Sequence, residues 1–229
     1  MIVPVAEKNK ITFENLLRNM QKKILPFILE TVIDLAIIGL LVVLIRSFIA
    51  SPFQVHGSSM CPTFNYENGI CETDYGEYLI ISKFKYLFGN PQRGDIVVFE
   101  PPNQPKGSAQ EFFIKRVIGL PGETVEISNG KVYINGKKLD EPYLKGKETF
   151  PASGTSQKYE VPEEKYFVMG DNRDHSIDSR WCFRDSIIGG CKGGKTAYLT
   201  KDIIQGRSWI ILYPFSKMGL IPAEDYKFQ

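Results

Sequence analysis

The chain has 229 residues, 43% of them apolar and 24% charged, a balance that excludes wholesale disorder. Its net charge of +2 leaves no general footprint for nucleic acid. A mean hydropathy of −0.16 excludes a polytopic membrane protein, although the apolar residues are spread unevenly.

The first element in chain order is an unbroken apolar run of 11 residues, Leu35–Ile45. Crossing about 30 Å of hydrocarbon takes about 17–25 helical residues, so the run must extend to Thr31–Ala50. That span includes Asp34 and Arg46, each within about one turn of an end, where a long arginine snorkels to the headgroups. A cleaved signal peptide would place its apolar core earlier and end it in a small-residue pattern. The reading is one transmembrane helix at 31–50 behind a cytoplasmic segment at 1–30. Lys8, Lys10, Arg18, Lys22 and Lys23 precede the run, and no Lys or Arg falls between Ser47 and Ser82. The positive-inside rule puts the N-terminus in the cytoplasm and residues 51–229 outside, in a single-pass protein of the cell membrane. The first 50 residues hold six basic and four acidic side chains, so the exported part carries 22 of each and is neutral. DNA binding loses both its charge and its compartment.

Residues 51–229 read as mostly β. Apolar and β-branched runs predict strands at Tyr78–Ser82, Ile96–Phe99, Phe112–Gly119, Thr124–Ile127, Lys131–Ile134, Tyr166–Met169 and Trp209–Tyr213. Asn129-Gly130 and Asn135-Gly136 are hairpin turn signals. Pro101–Gln110 and Lys145–Lys158 read as surface loops. The expected fold is an antiparallel β sandwich or irregular barrel behind the membrane helix.

All four cysteines, Cys61, Cys71, Cys182 and Cys191, lie in the exported part. An even count outside the cell favours disulfides, and three connectivities are open; 61–71 with 182–191 is the simplest, closing two short loops. CxxC spacing is absent, which counts against a thiolate zinc site and against redox catalysis. With only two histidines, His56 and His175, and scattered carboxylates, a His-based metal site has no support. No Gly-rich phosphate loop follows a strand.

Three segments are chemically dense: Ser51–Phe64, Phe113–Glu123 and Gly170–Arg180. A serine hydroxyl needs a base to become a nucleophile, and a lysine serves if desolvation drives it neutral. On strand alternation Phe113, Lys115 and Val117 share a face, which strips water from the ammonium; Arg116 points the other way and needs an anion. On residues alone, the default reading of Lys115 is an edge-strand lysine snorkelling to solvent, and that of Ser59 a turn serine.

Four motifs, in order, carry a resemblance. They are Ser-Met-x-Pro-Thr at 59–63, Arg-Gly-Asp-Ile-Val-Val-Phe at 93–99, Lys-Arg-Val-Ile-Gly-Leu-Pro-Gly at 115–122, and Gly-Asp-Asn-Arg-Asp at 170–174 continuing to Asp178-Ser179-Arg180. Together they resemble the bacterial type I signal peptidases, membrane-anchored Ser/Lys endopeptidases of the S26 family. The resemblance implies Ser59 as nucleophile and Lys115 as base, with no metal or organic cofactor. It implies that Ser176 orients the Lys115 amine, that Asp178 and Arg180 pair to brace their loop, and that Asp171 neutralises Arg116. Phe53, Val55, Met60 and Ile114 match positions that line shallow pockets for small residues, hence an Ala-x-Ala preference; core packing is the competing reading for each of the four. The implied partners are preprotein signal peptides, the lipid bilayer and the secretion machinery. Many members carry a Ser or Thr two residues before the nucleophile, and here that position is Gly57, which leaves the Ser59 N–H as the one named oxyanion donor. A Ser/His arrangement using His56 or His175, with Asp174 and Asp178 near the latter, is the competing mechanism. Pilin-like or conjugation substrates, and an inactive anchored β module, are the competing functions; a self-cleaving repressor is disfavoured by the membrane span and the neutral exported part.

Overall fold

The computed structural model describes residues 5–102, 112–152, 156–183, 191, 195–222, 226 and 228. Two compact units are distinguished, Met1–Ser47 and Phe48–Gln229. The first is one helix, α1 (Val5–Leu44), whose ladder loosens into a π-helical turn at Ile45–Ile49. Ile24–Ile49 is long and apolar enough to cross a membrane, with a mean hydropathy of 2.7 and none of its side chains buried. This stretch begins earlier than Thr31, so Glu30 and Asp34 lie inside it rather than at its edge, and it ends before Ala50, which already belongs to a strand. It fits a single-pass anchor.

The second unit is mainly β. Its described elements are β1 (Ala50–His56), β2 (Tyr66–Glu67), β3 (Ile70–Cys71), β4 (Tyr75–Ser82), α2 (Phe84–Phe88), β5 (Ile96–Phe99), β6 (Phe113–Gly119) and β7 (Thr124–Ser128). They continue with β8 (Lys131–Ile134), β9 (Lys137–Lys138), β10 (Ser156–Glu160), β11 (Lys165–Met169), β12 (Leu199–Thr200), β13 (Ile204–Tyr213) and β14 (Gly219–Leu220). The larger sheet runs β1-β4-β13-β5-β6-β11-β12, with β14 on β13. A smaller sheet runs β10-β7-β8-β9, and β2-β3 form a separate hairpin. The pairings are antiparallel throughout.

Each predicted strand is present. β5 is a short run, Ile-Val-Val-Phe, that is buried on both faces because it lies mid-sheet. Its alternation divides two cores. Ile96 and Val98 pack with Val55, Leu79, Ile81 and Ile114, whereas Val97 and Phe99 pack with Val117, Val168, Leu199 and Ile204. A third core joins the smaller sheet to Ile118, Phe167 and Met169. Asn129 and Gly130, both at positive φ, turn β7 into β8 with Ser128 opposite Lys131.

Seven strands were not anticipated; five of them, β2, β3, β9, β12 and β14, have two residues each, and β1 and β10 are longer. β1 mixes polar and apolar residues and contains Pro52, which is tolerated because the strand is a sheet edge. β10 occupies the end of the stretch read as the loop Lys145–Lys158; its polar start hides the burial of Tyr159 and the adjoining Val161. Most of the other expected loop, Pro101–Gln110, lies outside the described residues. The disulfides join Cys61 to Cys71 and Cys182 to Cys191.

Candidate active site

The chain leaves β1 at His56 and enters a tight turn. Gly57 sits at φ +80°, in the left-handed region that disfavours a side chain, which accounts for the missing hydroxyl at this position. The Cys61 N–H donates to the Ser58 carbonyl at 3.0 Å, and the Thr63 and Phe64 N–H groups donate to the Met60 carbonyl at 2.8 and 3.0 Å. Met60 and Phe64 are driven into the core at 1% exposure each, so the turn is plugged from below while Ser59 stays at the surface of a cleft. The Asn65 side-chain amide donates to the Gly57 and Asp74 carbonyls at 2.9 and 3.0 Å, and the Cys61–Cys71 bridge closes the excursion.

Lys115 comes from β6, which is flanked by β5 and β11 and is therefore not an edge strand. The side chain is 4% exposed. Its Nζ donates to Ser59 Oγ and to the Ile114 carbonyl, both at 2.8 Å, and lies 5.2 Å from the Phe113 ring centroid. Burial pushes the ammonium down to about 8, against the smaller opposing pull of Asp178 and Asp171. A lysine that is neutral just above neutrality, hydrogen-bonded to a serine hydroxyl, can serve as a general base.

The segment after β11 supports this pair from behind. A Cβ on Gly170 would lie 2.4 Å from the Ser59 carbonyl and 2.2 Å from Ser176 Oγ, so only glycine allows this approach. Asp171 accepts two hydrogen bonds from Arg116, at 2.8 and 2.6 Å, and one from Thr63 Oγ1 at 2.5 Å. One carboxylate thus ties together the serine turn, the lysine strand and its own loop. Asp178 binds Arg180 through both oxygens, at 3.0 and 2.9 Å, and accepts from the Gly170 N–H at 3.1 Å. Burial alone would raise the Asp178 carboxyl, but the Arg180 charge and these donors hold it below the usual carboxylate range. Arg173 is buried against Glu141 and Thr149, and so anchors the other flank of the loop.

Ser176 departs from its expected place. Its hydroxyl is buried beside Asp178, whose charge it favours, and makes no hydrogen bond to the Lys115 amine, which turns instead to Ser59 and to its own strand's carbonyl. The pocket residues also divide. Phe53 and Ile114 line the cleft of about 480 Å³ that contains Ser59 and Lys115. Val55 and Met60 do not, because strand alternation and the inward plug of the turn send both into the core at 1% exposure. His56 and His175 also line the cleft, but the Ser59 hydroxyl is paired with Lys115, and the His56 ring packs 4.6 Å from that of Tyr75. Among the described residues no cluster of three His, Cys, Asp or Glu side chains suits a metal ion.

Thr63, Asn65, Gly170 and Asn172 take no part in the sequence expectations. All but Asn65 lie inside quoted motifs, which is the one signal that would have pointed to them. The Asn172 N–H and Nδ2 donate to the Ser59 and Ser58 carbonyls, each at 3.0 Å.

Residues 28–213 match the family model described as signal peptidase, peptidase S26. The chain is 37% identical over 207 residues to signal peptidase I S of Bacillus subtilis, covering 87% of this chain and 96% of that protein. It is 36% identical over 196 residues to a signal peptidase I of Leptolyngbya laminosa, covering 82% and 83%. A solved signal peptidase I from Enterococcus faecalis is 32% identical and covers 52% of this chain and 96% of its own, with a TM-score of 0.37.

Proposed function

The chain belongs to the S26 signal peptidase family, whose peptidases remove signal peptides, and on that premise we propose that it does so through a Ser59/Lys115 dyad. The observation that carries this reading is the 2.8 Å contact between Lys115 Nζ and Ser59 Oγ, made by a lysine that burial brings down to about 8.

Neutral Lys115 takes the Ser59 proton as Oγ attacks the scissile carbonyl. The Ser59 N–H faces the developing oxyanion. Collapse of the tetrahedral intermediate breaks the C–N bond, and protonated Lys115 gives its proton to the departing amine, the new N-terminus of the mature protein. Water, deprotonated by Lys115, then hydrolyses the ester and frees the signal peptide. Every step uses groups the chain carries, so no cofactor is called for. The shallow cleft beside Phe53 and Ile114 supports small residues before the cut, in the Ala-x-Ala pattern, by steric exclusion.

The N-terminal helix serves as a single-pass anchor with its basic flank in the cytoplasm, so that the peptidase unit meets signal peptides at the outer membrane face. Tethering raises the effective concentration of enzyme and membrane-held substrate. Secretion machinery that delivers preproteins to that face is the natural neighbour. Wild type, Ser59→Ala and Lys115→Ala chains, compared on a preprotein with an Ala-x-Ala site, test the dyad. Only the wild type should cleave, and cleavage by either variant at the wild-type rate overturns the reading. Removing residues 1–50 should spare peptide hydrolysis and slow preprotein processing in vesicles.

A further inference from the structure

We propose that Asn172 is a positioning residue that aims the Ser59 N–H at the oxyanion, by fixing the plane of the Ser58–Ser59 peptide from behind the cleft. The inference rests on the reading of Ser59 as nucleophile.

Asn172 is 2% exposed and touches neither Ser59 Oγ nor Lys115 Nζ by hydrogen bond. Its two donors instead reach the carbonyls of consecutive residues: Nδ2 holds the Ser58 oxygen and the backbone N–H holds the Ser59 oxygen, each at 3.0 Å. A carbonyl is an acceptor only, so the atom of the Asn172 amide that faces Ser58 is necessarily the nitrogen. The Ser58–Ser59 bond is trans. In a planar trans peptide the C=O and the following N–H point in opposite directions. Drawing the Ser58 oxygen toward Asn172 therefore turns the Ser59 N–H away from Asn172, on the side of the cleft that Ser58 and Ser59 line. Among the described residues the Ser59 N–H donates to no backbone carbonyl, so it is available to a substrate oxygen.

The second bond completes the clamp. With the oxygens on both sides of the Ser59 Cα held, the backbone at Ser59 is set, and with it the direction from which Oγ meets Lys115. The clamp itself is held from both sides. Asp171, the preceding residue, is fixed by Arg116 and Thr63, and Gly170 lies against the Ser59 carbonyl. This matters more here than in relatives with a hydroxyl two residues before the serine. Gly57 offers no side chain, and its own N–H is already given to the Asp74 carbonyl at 3.2 Å.

The test uses the detergent-solubilised full chain, an Ala-x-Ala peptide substrate and a peptide boronate, which forms a tetrahedral adduct on serine and so reads the oxyanion site. Asn172→Ala should lower kcat by about 10- to 100-fold and weaken boronate inhibition by a similar factor, with KM held within about twofold. Asn172→Leu, similar in size but with neither donor nor charge, should do the same with little change in the thermal midpoint, since it also removes the partnerless Asn172 Oδ1. Because neither variant adds or removes a charge, the rise of kcat/KM with pH should stay at its wild-type position in both variants. A purely structural role would lower the melting temperature and displace that limb. The proposal fails if both variants keep wild-type kcat, if the loss falls on KM alone, or if kcat drops while boronate inhibition is unchanged. Cleavage by Ser59→Ala at the wild-type rate would instead overturn the dyad, and this inference with it.

Discussion

Lys115 and Arg116 are adjacent on β6, carry the same formal charge and are almost equally buried, at 4% and 1% exposure. Their fates are opposite. Arg116 reaches across to Asp171 with two hydrogen bonds, donates to the Gly94 carbonyl, and lies with its guanidinium 4.0 Å from the Tyr143 ring centroid. Burial opposes its charge, but Asp171 overrides burial and holds the guanidinium above its ordinary range. Lys115 reaches a hydroxyl and a carbonyl, neither of them charged, and burial wins. Desolvation sets the same condition on both faces of one strand; whether a carboxylate is within hydrogen-bonding reach decides the protonation state. One face becomes a strut and the other holds a lysine that gives up its proton near pH 8.

The largest effect should come from erasing the contrast at Lys115. Lys115→Arg keeps the charge and places an always-protonated group beside Ser59, so kcat/KM on an Ala-x-Ala peptide should fall by at least about 10³-fold. Retention of a tenth of the activity would show that the base lies elsewhere. On the opposite face the damage should appear as stability. Arg116→Ala leaves Asp171 buried without its cation and should destabilise the fold by about 3–5 kcal/mol in chemical denaturation. A loss below about 1 kcal/mol would mean that Thr63 and water suffice to hold the carboxylate.

Lys115→Met should do the reverse and stabilise the protein. An unfolded lysine keeps its proton up to its ordinary value of 10.5, whereas the folded Lys115 releases it at about 8. Between those pH values the unfolded chain binds the extra proton, so wild-type stability rises with pH across the window. Below it the folded state carries the full penalty, about 3 kcal/mol at most. The methionine variant should therefore melt higher at pH 7, with the gain shrinking as pH rises toward 10.5. A gain that does not change with pH would assign it to packing.

How much of this was legible beforehand follows the range of the interactions. The apolar helix, the Asn-Gly turns and the strands buried on both faces are written in short windows of sequence, and the expected elements are there. Lys115 illustrates the limit. From its own strand it reads by default as an edge lysine, because only the pairing of β6 with β11, some 50 residues on, buries it. Core packing was open for Phe53, Val55, Met60 and Ile114 alike, and the motif that singled out Ser59 could not say that Val55 and Met60 take it, since that depends on how the turn after β1 is plugged. Thr63 and Asn172 act across 108 and 114 residues of chain. Ser176 was placed by analogy, and no pattern in its neighbourhood could say that its hydroxyl would lie beside Asp178 without a hydrogen bond to the amine.

The smallest expected effect gives the sharpest reading of the comparison. If Lys115 must be neutral to act, kcat/KM should rise about tenfold per pH unit on the acid side and level off above about pH 8. Asp178 and Asp171 both favour the protonated lysine, with Asp178 the stronger of the two. Removing either charge, as Asp178→Asn or Asp171→Asn, also leaves a buried arginine unpaired, and both changes disfavour a second cation nearby. The limb should therefore move toward lower pH in each variant, and further in Asp178→Asn. If it moved to higher pH, or stayed fixed in both, the limb would belong to a group other than Lys115. His56 and His175, which line the same cleft, would then be the groups to substitute next.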